Sequence, residues 1–88
     1  MLILEQDGKA IVNTDRLNHI SVECGKIVGV TDENVYFLGE YEDADATLKD
    51  LAKIMAFTEA YVGLICMPDY YGFTKETMKK YMEGTCQS

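Results

Sequence analysis

The pattern of apolar and polar positions changes character near residue 42. Before it, apolar residues come in short runs or strict alternation, separated by Gly, Asp and Asn; after it, they recur at helical spacing. Leu2–Glu5 and Lys9–Asn13 read as two strands joined at Asp7-Gly8, a pair that tolerates the positive φ angles of a two-residue hairpin loop. Asn13-Thr14-Asp15 carries turn chemistry, and a single helical turn is predicted over Thr14–Leu17. His19–Glu23 alternates, with Ile20 and Val22 on one face and His19, Ser21 and Glu23 on the other. Cys24-Gly25 turns the chain into a Val- and Ile-rich strand over Lys26–Thr31 with Gly29 inside it. Asp32-Glu33-Asn34 turns it again into a strand over Val35–Tyr41. Val35, Phe37 and Tyr41 are expected on one face of that strand, Tyr36 and Leu38 on the other.

Beyond Glu42 the period is helical. Asp43 is a good N-cap, Asp45 suits the first turn, and Leu48, Leu51, Ala52 and Met55 form the apolar stripe. Gly63 and its β-branched neighbours predict a sixth strand over Tyr61–Met67; the rival reading is a helix that continues to Cys66, and Pro68 stops either. Asp69–Phe73 is an aromatic loop. Thr74 caps a short helix whose Met78, Tyr81 and Met82 share a face, Gly84 ends it, and Thr85–Ser88 should fray. The fold class expected is α+β: an antiparallel β-meander of five or six strands, one main helix packed on a face, and a short C-terminal helix.

Length makes this one domain, 1–88, and a 48% hydrophobic share is too high for a disordered chain. Eight basic residues against fifteen acidic ones leave a net charge of −7. Arg16 is the one arginine and Lys79-Lys80 the one adjacent basic pair, which argues against binding to nucleic acid or to anionic membranes. The same charge favours a basic partner protein. Cys24, Cys66 and Cys86 make no disulfide framework, with Cys66 expected in the core and Cys86 in the tail. No signal peptide is visible, and the longest nearly apolar stretch, Ala60–Pro68, is far below the ~20 residues of a membrane span. A cytoplasmic location is expected.

Candidate chemistry is sparse. His19 and Cys24 are the nearest imidazole and thiol in sequence, but an extended strand holds them roughly 13–17 Å apart. Zinc has no C-x-x-C and a single histidine to work with. The acidic run Glu40, Glu42, Asp43, Asp45 lacks the third ligand and the turn glycine of a calcium loop, and helix capping accounts for its aspartates. No phosphate-loop pattern occurs, and neither Ser21 nor Ser88 sits in a nucleophile elbow. No catalytic, cofactor-binding or metal-ligating residue is therefore assigned. The strongest signal is a concentration of Met and aromatic side chains from Met67 onward, residue types enriched at interface centres. Tyr70, Tyr71, Phe73, Met78, Tyr81 and Met82 form the candidate interaction surface. They also read as mass that closes a small core, since small domains often need their tails for core, and a homodimer would serve both readings.

Gln6-Asp7-Gly8 after an apolar strand, Val12-Asn13, Leu38-Gly39-Glu40-Tyr41, the helix after Asp43 and the closing Met67-Pro68 carry a resemblance. Over residues 2–68 the chain resembles a group of short proteins of Gram-positive bacteria and their mobile elements that have no assigned activity. The resemblance implies the meander and helix but supplies no functional residues, and the Tyr-rich tail departs from it. Leu17–Glu23 and the turn and strand after it are similar to the opening of LytTR-type DNA-binding domains. Those bind DNA through basic and polar loop residues, which this chain scarcely offers.

The function expected is a non-enzymatic protein–protein interaction or accessory module, acting on a protein partner or on itself, without cofactor. The alternative is a small-molecule-binding domain or a small enzyme in which Glu23, Asp32, Glu40 and Glu42 meet on the sheet. That alternative requires a pocket lined by at least two of the four.

Overall fold

A computed structural model describes residues 1–58 and 64–82. Its elements are β1 (Leu2–Leu4), β2 (Ile11–Asn13), a 3₁₀ turn (Thr14–Arg16), β3 (His19–Glu23), β4 (Lys26–Val30), β5 (Val35–Glu40), α1 (Ala44–Thr58), β6 (Leu64–Cys66) and α2 (Lys75–Met82). The chain is α+β, but its strands do not form one meander. They divide into two three-stranded sheets, ordered β2-β1-β6 and β3-β4-β5.

The division has a local cause. The Asn13 carboxamide oxygen accepts the Asp15 N–H at 3.0 Å, and the 3₁₀ turn carries the chain away before β3 can pair with β2. The open side of β1 is filled by β6, which runs parallel to it with Ile3 opposite Ile65. Among the described residues of the expected strand Tyr61–Met67, Leu64–Cys66 is β-structure, which decides against a helix continuing to Cys66. Tyr61–Gly63, Gly84 and the expected fraying tail lie outside the described residues.

Two turns exchange roles relative to the expectation. At Asp7-Gly8 only Gly8 takes a positive φ, 73°, and the Gly8 N–H donates to the Glu5 carbonyl oxygen at 2.8 Å. The loop is therefore four residues wide, because the ladder closes at Glu5 and Ala10. The two-residue loop is instead Cys24-Gly25, with φ of 52° and 77° between the paired Glu23 and Lys26. Asp32–Asn34 turns as expected, held by the Thr31 hydroxyl, which accepts the Asn34 N–H at 2.9 Å.

Strand β5 corrects the expected faces. A bulge opposite Ile27 and Val28 sets Val28 against Phe37 and Ile27 against Gly39, so Leu38 is the extra residue. Beyond it the alternation is reset, and Tyr41 joins Leu38 in the core while Val35 and Phe37 stay exposed. Glycine at 39 is what makes this possible. A Cβ there would collide with the hydroxyl end of the Tyr41 side chain, 2.6 Å from Cζ and 2.7 Å from Cε2.

Helix α1 starts as its sequence predicts. The Asp43 carboxylate accepts the Ala46 N–H at 3.0 Å, and the Asp43 carbonyl accepts the Thr47 N–H at 3.0 Å. Its buried stripe is Ala44, Thr47, Leu51 and Ile54, flanked by Leu48 and Met55; Ala52, expected inside, is exposed. Leu51 and Ile54 meet Ile3, Ile27, Leu38 and Ile65, so one helix seals both sheets into one core. Cys66 alternates outward from Ile65 on β6 and is exposed, which corrects its assignment to the core. Replacing Gly39 with alanine should cost about 2–3 kcal/mol, because backbone and ring must both move. Urea unfolding of G39A measures this, and a double variant that also truncates Tyr41 should show strong non-additivity.

Candidate functional site

Hydrogen bonds from Gln6 and Tyr41 join the two sheets. Just past β1, the Gln6 N–H donates to the Leu38 carbonyl oxygen at 2.9 Å, as a paired strand residue would. The Gln6 carboxamide then continues the pattern: its oxygen accepts the Glu40 N–H at 3.1 Å, and its nitrogen donates to the Glu40 carbonyl oxygen at 2.9 Å. That nitrogen also reaches the Pro68 carbonyl oxygen at 3.2 Å. The Tyr41 hydroxyl donates to the same Pro68 oxygen at 3.2 Å. Burial first, and then the nearby Asp69 carboxylate, push the Tyr41 phenol well above its ordinary value. It stays a protonated donor.

This junction positions the aromatic segment after Pro68. Asp69–Gly72 is a tight turn in which the Asp69 carboxylate accepts the Tyr71 N–H at 3.1 Å and the Gly72 N–H donates to the Asp69 carbonyl at 2.9 Å. The Glu42 N–H donates to the Tyr70 carbonyl at 2.9 Å, which ties the turn to the entry of α1. Gly72, at φ 89°, lies against Thr47, where a Cβ would come within 2.8 Å of the hydroxyl oxygen. The backbone of the turn is thus held at both ends, while its two central side chains project outward. Tyr70 is 48% and Tyr71 77% exposed, and their rings pack edge to face at 5.4 Å.

The six residues of the expected surface therefore separate. Tyr70 and Tyr71 are on the outside. Phe73, Met78 and Tyr81 are half-buried and pack against the core, and the Tyr81 hydroxyl accepts the Cys66 N–H at 3.1 Å. Met82 ends α2, and its side chain lies outside the described residues. Thr74 caps α2 by accepting the Thr77 N–H at 3.0 Å. Between β6 and α2 lies a shallow hollow of about 340 Å³, bordered by Cys66, Pro68, Asp69 and Lys80.

A larger groove, about 610 Å³, opens between β2 and the β4–β5 turn. Of the four carboxylates expected to meet, only Asp32 lines it, accepting the Asn18 amide N–H at 2.7 Å. Glu23 and Glu40 instead flank Lys26 across β3, β4 and β5, and Glu42 is exposed at the start of the helix. His19 and Cys24 sit at opposite ends of β3, both exposed. Among the described residues no three His, Cys, Asp or Glu side chains are grouped to hold a metal. Among them, too, no helix is long and apolar enough to cross a membrane.

No family model, curated protein or solved structure matches the chain. Its own geometry is what a functional reading rests on. The groove was missed in the sequence, though a signal was present: Ile11 and Val12 are adjacent in a strand, so one of them must face outward.

The raised Tyr41 pKa has a definite sign. An unfolded tyrosine ionises near 10 and the folded one higher, so its contribution is complete below pH 10 and is lost as pH rises through the folded value. Stability should fall above about pH 10, and Tyr41→Phe should flatten that fall while costing about 1 kcal/mol at neutral pH through the lost hydrogen bond. Urea midpoints from pH 7 to 11 for the two proteins measure both effects.

Proposed function

We propose that this protein is a non-enzymatic binding module that engages a protein partner through the Tyr70-Tyr71 turn. The observation that carries the reading is an exposed aromatic pair on a backbone fixed by three hydrogen bonds and by Gly72 against Thr47. Such a pair loses little conformational entropy on binding, because the turn is already ordered and each ring has only two side-chain torsions.

The turn's surroundings fit the same use. Asp69 and Glu42, each bonded to the turn's backbone, supply charge beside it, as the polar rim of an interface commonly does. The overall charge of −7 favours a partner that is basic and disfavours nucleic acid and anionic lipid.

The test is affinity capture from the source organism's lysate with wild type and with the Tyr70→Ala/Tyr71→Ala double variant. Circular dichroism must first show both folded. Being exposed, the two substitutions should change stability by no more than about 0.5 kcal/mol. A specific partner should be retained by wild type and weakened about tenfold or more by the variant, as for truncation of an interface anchor. Finding no partner that wild type captures better than the variant would sink the reading. Sedimentation of the pure protein separates a foreign partner from a second copy, since self-association through the turn should vanish in the variant.

A further inference from the structure

Among the described residues no strand pairs with the outer edge of β2. The ladder to β1 bonds Glu5 to Ala10 and Met1 to Thr14. With the two-residue alternation of an antiparallel pair, the N–H and C=O of Ile11 therefore point away from β1. They project from the same strand that forms one wall of the 610 Å³ groove, and the Ile11 side chain is 56% exposed beside them. The groove is an unfilled strand position with an apolar lining of Ile11, Leu17 and Tyr36.

Its charged groups have one dominant sign. Glu5, Asp32 and Glu33 line it against Arg16 alone, and among the described residues no basic side chain pairs with any of the three carboxylates. Burial, and then the neighbouring Asp7, raise the Glu5 pKa, so this carboxylate is held in a setting that disfavours its charge. A cation placed there would relieve that penalty. The occupant that answers all three features is a chain that offers backbone hydrogen bonds, alternate apolar side chains and positive charge.

We propose that the groove between β2 and the β4–β5 turn takes an extended basic segment of a partner protein, added as a strand along the outer edge of β2. Apolar residues of the segment seat on Ile11 and Tyr36, and Lys or Arg residues face Glu5 and Glu33. The like charge of a second copy of this chain opposes self-pairing at the same place. This inference extends the binding-module reading with a second site of stated partner chemistry. It uses no residue of the Tyr70-Tyr71 turn, so either can fail alone: the Tyr70→Ala/Tyr71→Ala variant should bind the segment as wild type does.

The probe is an end-blocked heptapeptide alternating lysine and valine, titrated into the intact chain and read by amide NMR. Two controls replace valine with serine or lysine with glutamate. Expected are shifts confined to Glu5 and to residues 10–18 and 31–36, slowed exchange of the Ile11 amide, and affinity at least about tenfold above both controls. Glu5→Gln/Glu33→Gln should weaken binding about tenfold and reduce its salt sensitivity, with the same spectra reporting that the variant is folded. Lack of binding at millimolar peptide overturns the proposal. So does equal affinity for either control, an Ile11 amide whose exchange is unchanged, or shifts centred on Tyr70 and Tyr71. A dimer whose Ile11 amide is already protected without peptide overturns it as well, by making a second copy the occupant.

Discussion

Two small sheets that share one core are held in register by a glutamine side chain that behaves as a piece of backbone. Three-stranded sheets with strands as short as β1, β2 and β6 bury little by themselves and need a partner layer. Gln6 supplies the registration between them, giving its own N–H to Leu38 and its carboxamide to both polar groups of Glu40. Glu40 lies on the outer edge of β5, where among the described residues no further strand pairs, and these solvent-exposed bonds fix the register of one sheet on the other. The carboxamide, with a donor and an acceptor side by side, matches a peptide group. Glutamate at that position could only accept, and lysine could only donate.

The bulge in β5 and the Tyr41 hydroxyl extend the same arrangement. Resetting the alternation turns Tyr41 inward, Gly39 leaves space for its ring, and the ring delivers a hydroxyl to Pro68. Pro68 thus receives hydrogen bonds from Gln6 and Tyr41, which come from different sheets. The residues beyond Pro68 inherit that placement, so the Tyr70-Tyr71 turn stands on a defined part of the surface and is not a loose tail.

Chemistry spanning three or four residues was legible in the sequence. Asp43 and Thr74 cap their helices, Cys24-Gly25 and Asp32–Asn34 turn the chain, and β3 has the extent its alternation predicts. Long-range facts were not. Parallel pairing of β1 with β6 spans more than sixty positions, and no local pattern of Leu64–Cys66 distinguishes a parallel neighbour from an antiparallel one. The bulge is written only as Gly39 two residues before a tyrosine. Gln6 reads as an ordinary turn residue because its partners are 34 and 62 positions away. On the candidate surface, exposure of Tyr70 and Tyr71 comes from the Asp69–Gly72 turn, whereas the half-burial of Phe73, Met78 and Tyr81 comes from where α2 docks.

The parallel β1–β6 pair also sets an order of assembly. Strands β3, β4 and β5 are linked by tight turns and can zip as soon as they are made, with α1 next in the chain to cover them. The β1–β2 hairpin is made first yet has three residues in each strand, too few to persist in water unaided. During synthesis the free edge of β1 waits, unpaired, until Leu64–Cys66 has been added. The β1–β2 hairpin, made before the other described elements, is thus among the last of them to become native, and it is where a chaperone would find these elements longest exposed.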